Sequence, residues 1–360
     1  MITQLVRKQI REMQEINWGE IPDNTGMRLL WGENQNLINV CKKAIEKESE
    51  KINLYPSPTK KILRDELAQY NNVDPKNVVP TNGSDEAIEL IAKVFIAEND
   101  EAVIPVPSFP CYASVSQMMG AKILTLPLEN DFSLSVDKLL NLVTDRTKVI
   151  WIANPNNPTG NLLLNEKQVK DIAKQVNCLL IIDECYFELG GITAASLIES
   201  CPNVIILRSF SKVFAMAGAR LGYILCNQEV AKYLNTLQMS NQPFSVNRFA
   251  QAAAVAILSQ PLLIEKSVSR FLQLKKGFEN KLNEVAELEV LETKTSFSLV
   301  KVASSITGAQ LKEKLKEENI FIKDCSIYEG FGKQYIYLGI PLKEYQDKAV
   351  EAIRTVLKEK

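Results

Sequence analysis

A lysine that closes Ser209-Phe210-Ser211-Lys212, directly after the apolar run Val204-Ile205-Ile206-Leu207, is placed to do amine chemistry. The neutral amine is the nucleophile in Schiff-base formation, and partial desolvation or charge crowding lowers the pKa of its ammonium form. Arg220, eight residues further on, could fork onto a phosphate beside it. Two other apolar runs end in equally reactive residues. Val149-Ile150-Trp151-Ile152-Ala153 leads into Asn154-Pro155-Asn156-Asn157-Pro158-Thr159-Gly160, and Leu179-Leu180-Ile181-Ile182 leads into Asp183-Glu184-Cys185-Tyr186. Upstream, Gly83-Ser84-Asp85-Glu86 opens a helical pattern, and the unpaired N–H groups of a helix start favour an anion. Each feature has an ordinary reading when taken singly. A lysine at a strand end is usually a solvated surface group, Asp183 could cap a helix, Asn157 could be a turn residue before Pro158, and Ser84 or Asp85 could be a plain N-cap. Their joint occurrence after three apolar runs argues for one shared mouth.

The elements that must position these residues follow from periodicity. Apolar segments at Glu101 to Val106, Lys122 to Leu126, Val149 to Ala153, Cys178 to Ile182 and Val204 to Leu207 alternate with helical patterns at Tyr112 to Met119, Val136 to Leu142 and Glu166 to Val176. Short buried strands with helical crossovers predict an α/β fold with a mostly parallel sheet covered on both faces. Ligands of such sheets lie beyond the carboxyl ends of the strands. Earlier amphipathic helices are predicted at Asn39 to Lys51 and Lys60 to Tyr70, broken by Tyr55-Pro56-Ser57-Pro58, and Trp18 to Asp23 reads as a loop. After helical stretches at Gln228 to Met239, Asn247 to Leu258 and Leu262 to Glu289 the pattern changes. Strand at Leu291 to Val302, helix at Gly308 to Glu318, strands at Ile320 to Lys323 and Gln334 to Leu338, and helix at Leu342 to Leu357 predict a smaller α+β domain. The expected organisation is an N-terminal arm, 1–35, that joins the small domain, a large ligand-binding domain, 36–265, and the small domain, 266–360.

Composition narrows the chemistry. The 360-residue chain is 46% hydrophobic and 24% charged, with a net charge of -1, which allows a large core and offers no basic field for nucleic acid or membrane. It contains no histidine, so a His-based triad, His metal ligation and a His general base are excluded, and with seven scattered cysteines no metal site is expected. The odd cysteine count without a Cys-x-x-Cys pair reads as free thiols in a reducing compartment. The charged N-terminus has no signal-peptide pattern and no apolar run is long enough to span a membrane, so a cytoplasmic protein is expected.

From about Glu33 to the C-terminus, the Asn-Pro-Thr-Gly, Asp-x-x-Tyr and Ser-x-Ser-Lys…Arg motifs resemble, in order and spacing, fold-type I pyridoxal-phosphate enzymes. The resemblance is strongest to the histidinol-phosphate aminotransferase family of class I/II aminotransferases, which act in histidine biosynthesis. It implies pyridoxal 5′-phosphate as cofactor, held covalently by Lys212, which also shuttles a proton between the substrate and the cofactor. By the same resemblance Asp183 pairs with the pyridine nitrogen, and Asn157 and Tyr186 hydrogen-bond the phenolic oxygen. Phe109 stacks on the ring. Ser84, Asp85, Ser209, Ser211 and Arg220 surround the phosphate, Asp85 through backbone N–H groups. Tyr55, in Tyr-Pro-x-Pro, is implied to reach the phosphate of a neighbouring subunit, which makes the expected assembly a homodimer with shared sites.

The match fails on the substrate side. Family members carry an arginine in a pattern like Arg-Ile-Thr-Val-Gly that grips the substrate carboxylate, and here the stretch is Tyr335-Ile336-Tyr337-Leu338-Gly339. The other late arginine is replaced in Lys323-Asp324, and the Asn-Glu-Asn-Pro-Tyr motif reads Gly32-Glu33-Asn34-Gln35-Asn36. Asn34, Lys323 and Tyr335 are therefore the substrate-facing candidates. The leading expectation is transamination between an amino donor and a phosphorylated amino alcohol or its ketone, by family default histidinol phosphate with glutamate. Decarboxylation of a phosphorylated amino acid, as in the threonine-phosphate decarboxylases, is the alternative enzyme. A non-catalytic cofactor-binding regulator is disfavoured, because such proteins append a DNA-binding module and this arm is short and the charge near neutral.

Overall fold

The computed structural model describes residues 2–19, 26–34 and 37–358. Most of the loop expected at Trp18 to Asp23, and Gln35 and Asn36 of the altered N-terminal motif, lie outside the described residues. Among the described residues the strands are, in chain order, β1 Met27–Arg28, β2 Val78–Thr81, β3 Glu101–Val106, β4 Lys122–Pro127, β5 Thr147–Ala153, β6 Leu179–Asp183, β7 Val204–Ser209, β8 Gly222–Leu225, β9 Leu288–Leu291, β10 Phe297–Val302, β11 Ile320–Phe321, β12 Lys323–Asp324 and β13 Tyr335–Gly339.

The large sheet runs β2-β8-β7-β6-β5-β3-β4. Neighbours pair in parallel except at β8, which is antiparallel to both β2 and β7. The apolar runs are continuous because both faces are covered. Alternate residues feed two separate cores: Ile150, Ile152, Leu180, Ile182 and Ile206 point into one, and Val149, Trp151, Ile181, Ile205 and Leu207 into the other. That is the period-2 geometry of a strand buried on both sides. β8 was not anticipated, being only four residues placed directly after the lysine stretch. Its register sets Gly222 opposite both Ser209 and Thr81, which fixes the lysine stretch against the start of the helix Gly83–Phe95.

The smaller sheet is antiparallel, ordered β12-β13-β10-β9. The single strand expected over Leu291 to Val302 is the β9–β10 pair, with β9 beginning at Leu288, inside the stretch expected to be helical. The stretch Ile320 to Lys323 divides between β11 and β12 in different sheets. β11 pairs in parallel with β1, so the N-terminal segment joins the C-terminal part of the chain. The expected division at 265/266 falls inside the continuous helix Pro261–Leu282. Its Ile264 and Phe271 pack into the large core, while Phe278 and Leu282 pack into the small one. Among the described residues no helix is long and apolar enough to cross a membrane, and the seven cysteines are free thiols.

Candidate active site

The carboxyl ends of β5, β6 and β7, the start of the helix Gly83–Phe95 and the segment around Trp31 enclose a cavity of about 570 Å³. That volume is in the range of small-molecule and cofactor pockets. Ser84, Asp85, Phe109, Asn157, Asp183, Tyr186, Ser209, Ser211, Lys212, Arg220 and Lys323 all line it.

Asp183, the last residue of β6, is buried. One oxygen accepts the Tyr112 hydroxyl proton at 2.6 Å and the other the backbone N–H of Cys185 at 3.0 Å. Burial raises its pKa, while those two partners counter the rise. Tyr112 is itself fully buried and stacks on Trp151, with ring centroids 5.3 Å apart. Below Asp183, Glu184 is clamped by Arg208, whose Nε donates at 2.9 Å, and by the backbone N–H of Ala194 at 2.7 Å. Both members of that ion pair are buried, so the loop after β6 is held rigidly from beneath.

Across the cavity the Lys212 amine donates to the backbone oxygen of Trp31 at 2.7 Å and faces the Tyr186 ring at 5.7 Å. Burial lowers its pKa, and Arg220 adds to the lowering against the opposing pull of Cys185, Glu33 and Asp85. The effect enriches the neutral amine, the form needed for attack on a carbonyl carbon.

A third group of residues forms an anion cradle. Arg220 donates through Nη2 to Asp85 at 2.6 Å, and through Nη1 to Ser211 Oγ at 3.5 Å and to the Ala217 carbonyl at 3.2 Å. Ser209 Oγ accepts the backbone N–H of Ser211 at 3.1 Å. A side chain at Gly83, which has φ +76°, would stand 2.6 Å from Arg220 Nη2, and one at Gly222 would stand 2.6 Å from the backbone of Gly83 and Ser84. Two glycines therefore keep the helix start open to a ligand. The sequence expectation for Asp85 needs correction: its carboxylate pairs with the Arg220 guanidinium, the closest strong donor, rather than with backbone N–H groups. Asn157 contributes a buried side-chain oxygen without a partner among the described residues, an orphan that a polar ligand would satisfy.

Three sequence candidates stand apart from this cavity. Tyr55 is 78% exposed and stacks on Phe244 at 4.6 Å. Asn34 donates to the Val213 carbonyl at 3.0 Å and lines a neighbouring cavity. Tyr335 packs edge-on against Phe132 and Phe331. Tyr337, two residues on and so on the same strand face, lines the cavity instead, stacked on Phe297 at 4.0 Å.

Sequence reasoning also missed Tyr112, Arg28, Trp18 and Trp31. Tyr112 carried a signal, since it falls three residues after Phe109 at a helix start and meets it edge-on at 5.6 Å. The other three come from an N-terminal segment with no usable periodicity. Lys323 lies 5.6 Å from the Trp18 ring and 4.9 Å from that of Tyr328. Burial, with repulsion from Lys212, lowers its pKa to about 8.

A family model described as aminotransferase class I and II matches residues 26–334. The histidinol-phosphate aminotransferase of Methanococcus aeolicus is 31% identical over 359 residues, covering 98% of this chain and 94% of that protein. The protein of the same name from a Thermoanaerobacter species is 33% identical over 336 residues, 92% of each chain. Among solved structures, histidinol-phosphate aminotransferase from Sinorhizobium meliloti in complex with pyridoxal-5′-phosphate is similar with a TM-score of 0.85 at 20% identity, covering 98% of both chains. That last likeness is one of fold.

Proposed function

Since the chain belongs to the aminotransferase class I and II family, we propose that its cavity holds pyridoxal 5′-phosphate and moves an amino group between an amino-acid donor and a phosphorylated amino alcohol or its ketone, with histidinol phosphate the first substrate to test. The observation that carries this reading is an amine and a buried carboxylate, Lys212 and Asp183, facing one cavity whose third wall is the glycine-floored cradle at Ser84, Ser211 and Arg220.

The residues fit the cofactor. Asp183 is held by Tyr112 and the Cys185 N–H, and would keep a pyridine nitrogen protonated. Phe109 would cover one ring face. Asn157, with its orphaned oxygen, and Tyr186 would meet the ring's phenolic side, and Ser84, Ser209, Ser211 and Arg220 would take the phosphate. When bound, the cofactor supplies a protonated ring that takes up the electron pair released at the substrate's Cα.

The chain's own residues do the rest. Lys212 Nζ, with a pKa lowered by burial, binds the cofactor and takes the proton from the substrate's Cα. The Trp31 carbonyl, 2.7 Å away, holds that amine when it is free. Lys323 places a cation on the substrate side for the phosphate of an amino alcohol, and the rings of Trp18 and Tyr337 help to exclude water.

The assembly belongs to the same reading. Tyr55 stacks on the exposed Phe244 ring, and Ile52 (73% exposed) and Leu54 (54%), just before it in the chain, also expose apolar side chains, which suits a second copy of this chain. In such a dimer Tyr55 would reach the partner's phosphate cradle. The free cysteines fit a reducing, cytoplasmic location.

The test is the absorbance of the cofactor-loaded protein before and after histidinol phosphate. Loss of the yellow band, with formation of the amine form of the cofactor, is the expected result. An unchanged spectrum with histidinol phosphate and with every amino acid tried would contradict amino transfer.

A further inference from the structure

We propose that Arg28 is the arginine that grips the amino donor's carboxylate, and that Glu33 occupies its fork until the donor displaces it. The inference rests on the amino-transfer reading and supplies the anchor that the late strand lacks. Of the described residues lining the cavity, four carry basic side chains: Arg28, Lys212, Arg220 and Lys323. Arg220 is committed to the cradle and Asp85, and Lys212 to the amine chemistry. Lys323 is a point charge between two aromatic rings. Arg28 is the arginine remaining, and its planar donors match a carboxylate where a lysine's do not.

The structure already contains a carboxylate in that fork. Arg28 Nη2 donates to Glu33 Oε1 at 2.8 Å, and Nε donates to Oε2 at 3.3 Å. The guanidinium lies 5.2 Å from the centroid of the Trp31 ring, and the carbonyl of the same Trp31 accepts from the Lys212 amine. One residue thus links the fork to the reacting amine. The pair is held in place by its turn: Gly32 has φ +61°, and a side chain there would come within 2.5 Å of Ser296 Oγ and 2.6 Å of the Tyr337 hydroxyl. Arg28 itself is anchored through β1, with Leu29 N–H donating to the Phe321 carbonyl at 2.8 Å.

Exchange of carboxylates is feasible on energetic and steric grounds. The side chains of Arg28 and Glu33 are 42% and 32% exposed, and ion pairs this open to solvent contribute little. A donor that also gains contacts inside the cavity therefore competes well with Glu33. The same two residues line a second cavity of about 1000 Å³, so a displaced Glu33 carboxylate has room to turn away.

The test is steady-state kinetics of the cofactor-loaded enzyme with L-glutamate as donor, in Arg28→Gln, Arg28→Lys and Glu33→Gln variants. Arg28→Gln should raise KM for L-glutamate by about tenfold or more with a much smaller change in kcat, Arg28→Lys should recover part of the loss, and Glu33→Gln should lower KM below the parent value. An unchanged KM for L-glutamate in Arg28→Gln overturns the inference, as does a rise confined to the phosphorylated substrate. Calorimetric titration with maleate, a dicarboxylate that cannot donate an amino group, reads the fork without turnover. Weaker maleate binding in Arg28→Gln is expected, and equal binding by parent and variant contradicts the role. Absence of turnover in the parent with every donor, alongside Arg28-dependent maleate binding, would instead contradict amino transfer and leave the fork standing.

Discussion

The wall of the cavity built from the sheet ends and the wall built from the N-terminal segment and β12–β13 are held by different means. On the sheet side, Asp183, Tyr112, Glu184 and Arg208 are buried, with Tyr112 bonded to Asp183 and Arg208 to Glu184, and Asp183 and Arg208 stand at or next to the ends of strands paired on both edges. On the other side, Arg28 and Lys323 sit on two-residue strands, and the Arg28–Glu33 pair is partly open to solvent. The first wall is preorganised for a cofactor that stays, and the second suits substrates that enter, exchange and leave.

Four substitutions would break or sharpen that contrast. The largest effect is expected from Lys212→Ala on the rigid wall: amino transfer should fall by a factor on the order of 10⁴, read as turnover of histidinol phosphate, while cofactor still binds in the cradle. Activity close to the parent value would remove Lys212 from the chemistry. Tyr112→Phe comes next. It removes the hydroxyl that donates to Asp183 and leaves a buried carboxylate oxygen unpaired, at a cost of about 1–3 kcal/mol in unfolding free energy. Urea denaturation of the cofactor-free protein checks it, and unchanged stability would mean that Asp183 does not depend on that hydroxyl.

The substrate wall should respond more mildly and with pH. Lys323 has its pKa lowered to about 8 by burial, so its ammonium form is present below that pH and is lost as pH rises through it. KM for histidinol phosphate should therefore climb above about pH 8, and Lys323→Arg, which stays charged, should flatten the climb. A parent KM that does not change with pH across that range would take Lys323 out of phosphate binding. Tyr335→Phe, by contrast, should change KM by no more than about twofold, because Tyr335 packs with Phe132 and Phe331 outside the cavity. A larger rise would place Tyr335 in the substrate site after all.

The same contrast explains what could be read in the sequence. Lys212, Asp183 and Asn157 were legible because each follows a run of buried residues whose strand ends point to one edge of a parallel sheet. The helix start at Gly83 was legible from its Ser, Asp and Glu. The antiparallel β8 was not, since four residues carry too little alternation to set direction, yet its Gly222 is what presses the cradle together. Arg28, Trp18 and Trp31 were not legible either. Arg28 sits on β1, which pairs two residues with two of β11, and the Trp31 indole donates to the Trp18 carbonyl at 3.3 Å, contacts that no local pattern announces. Tyr335 and Tyr337 share a strand face, and only packing decides that the second reaches the cavity: Tyr337 stacks on Phe297, beside Tyr186.

The central claim is that Lys212 carries the cofactor. It is tested most directly by loading the protein with pyridoxal 5′-phosphate, fixing the linkage with borohydride and locating the label by mass spectrometry of the digested chain. The account predicts a single labelled peptide with the modification on Lys212, and a label on Lys323, on another lysine or on none would contradict it.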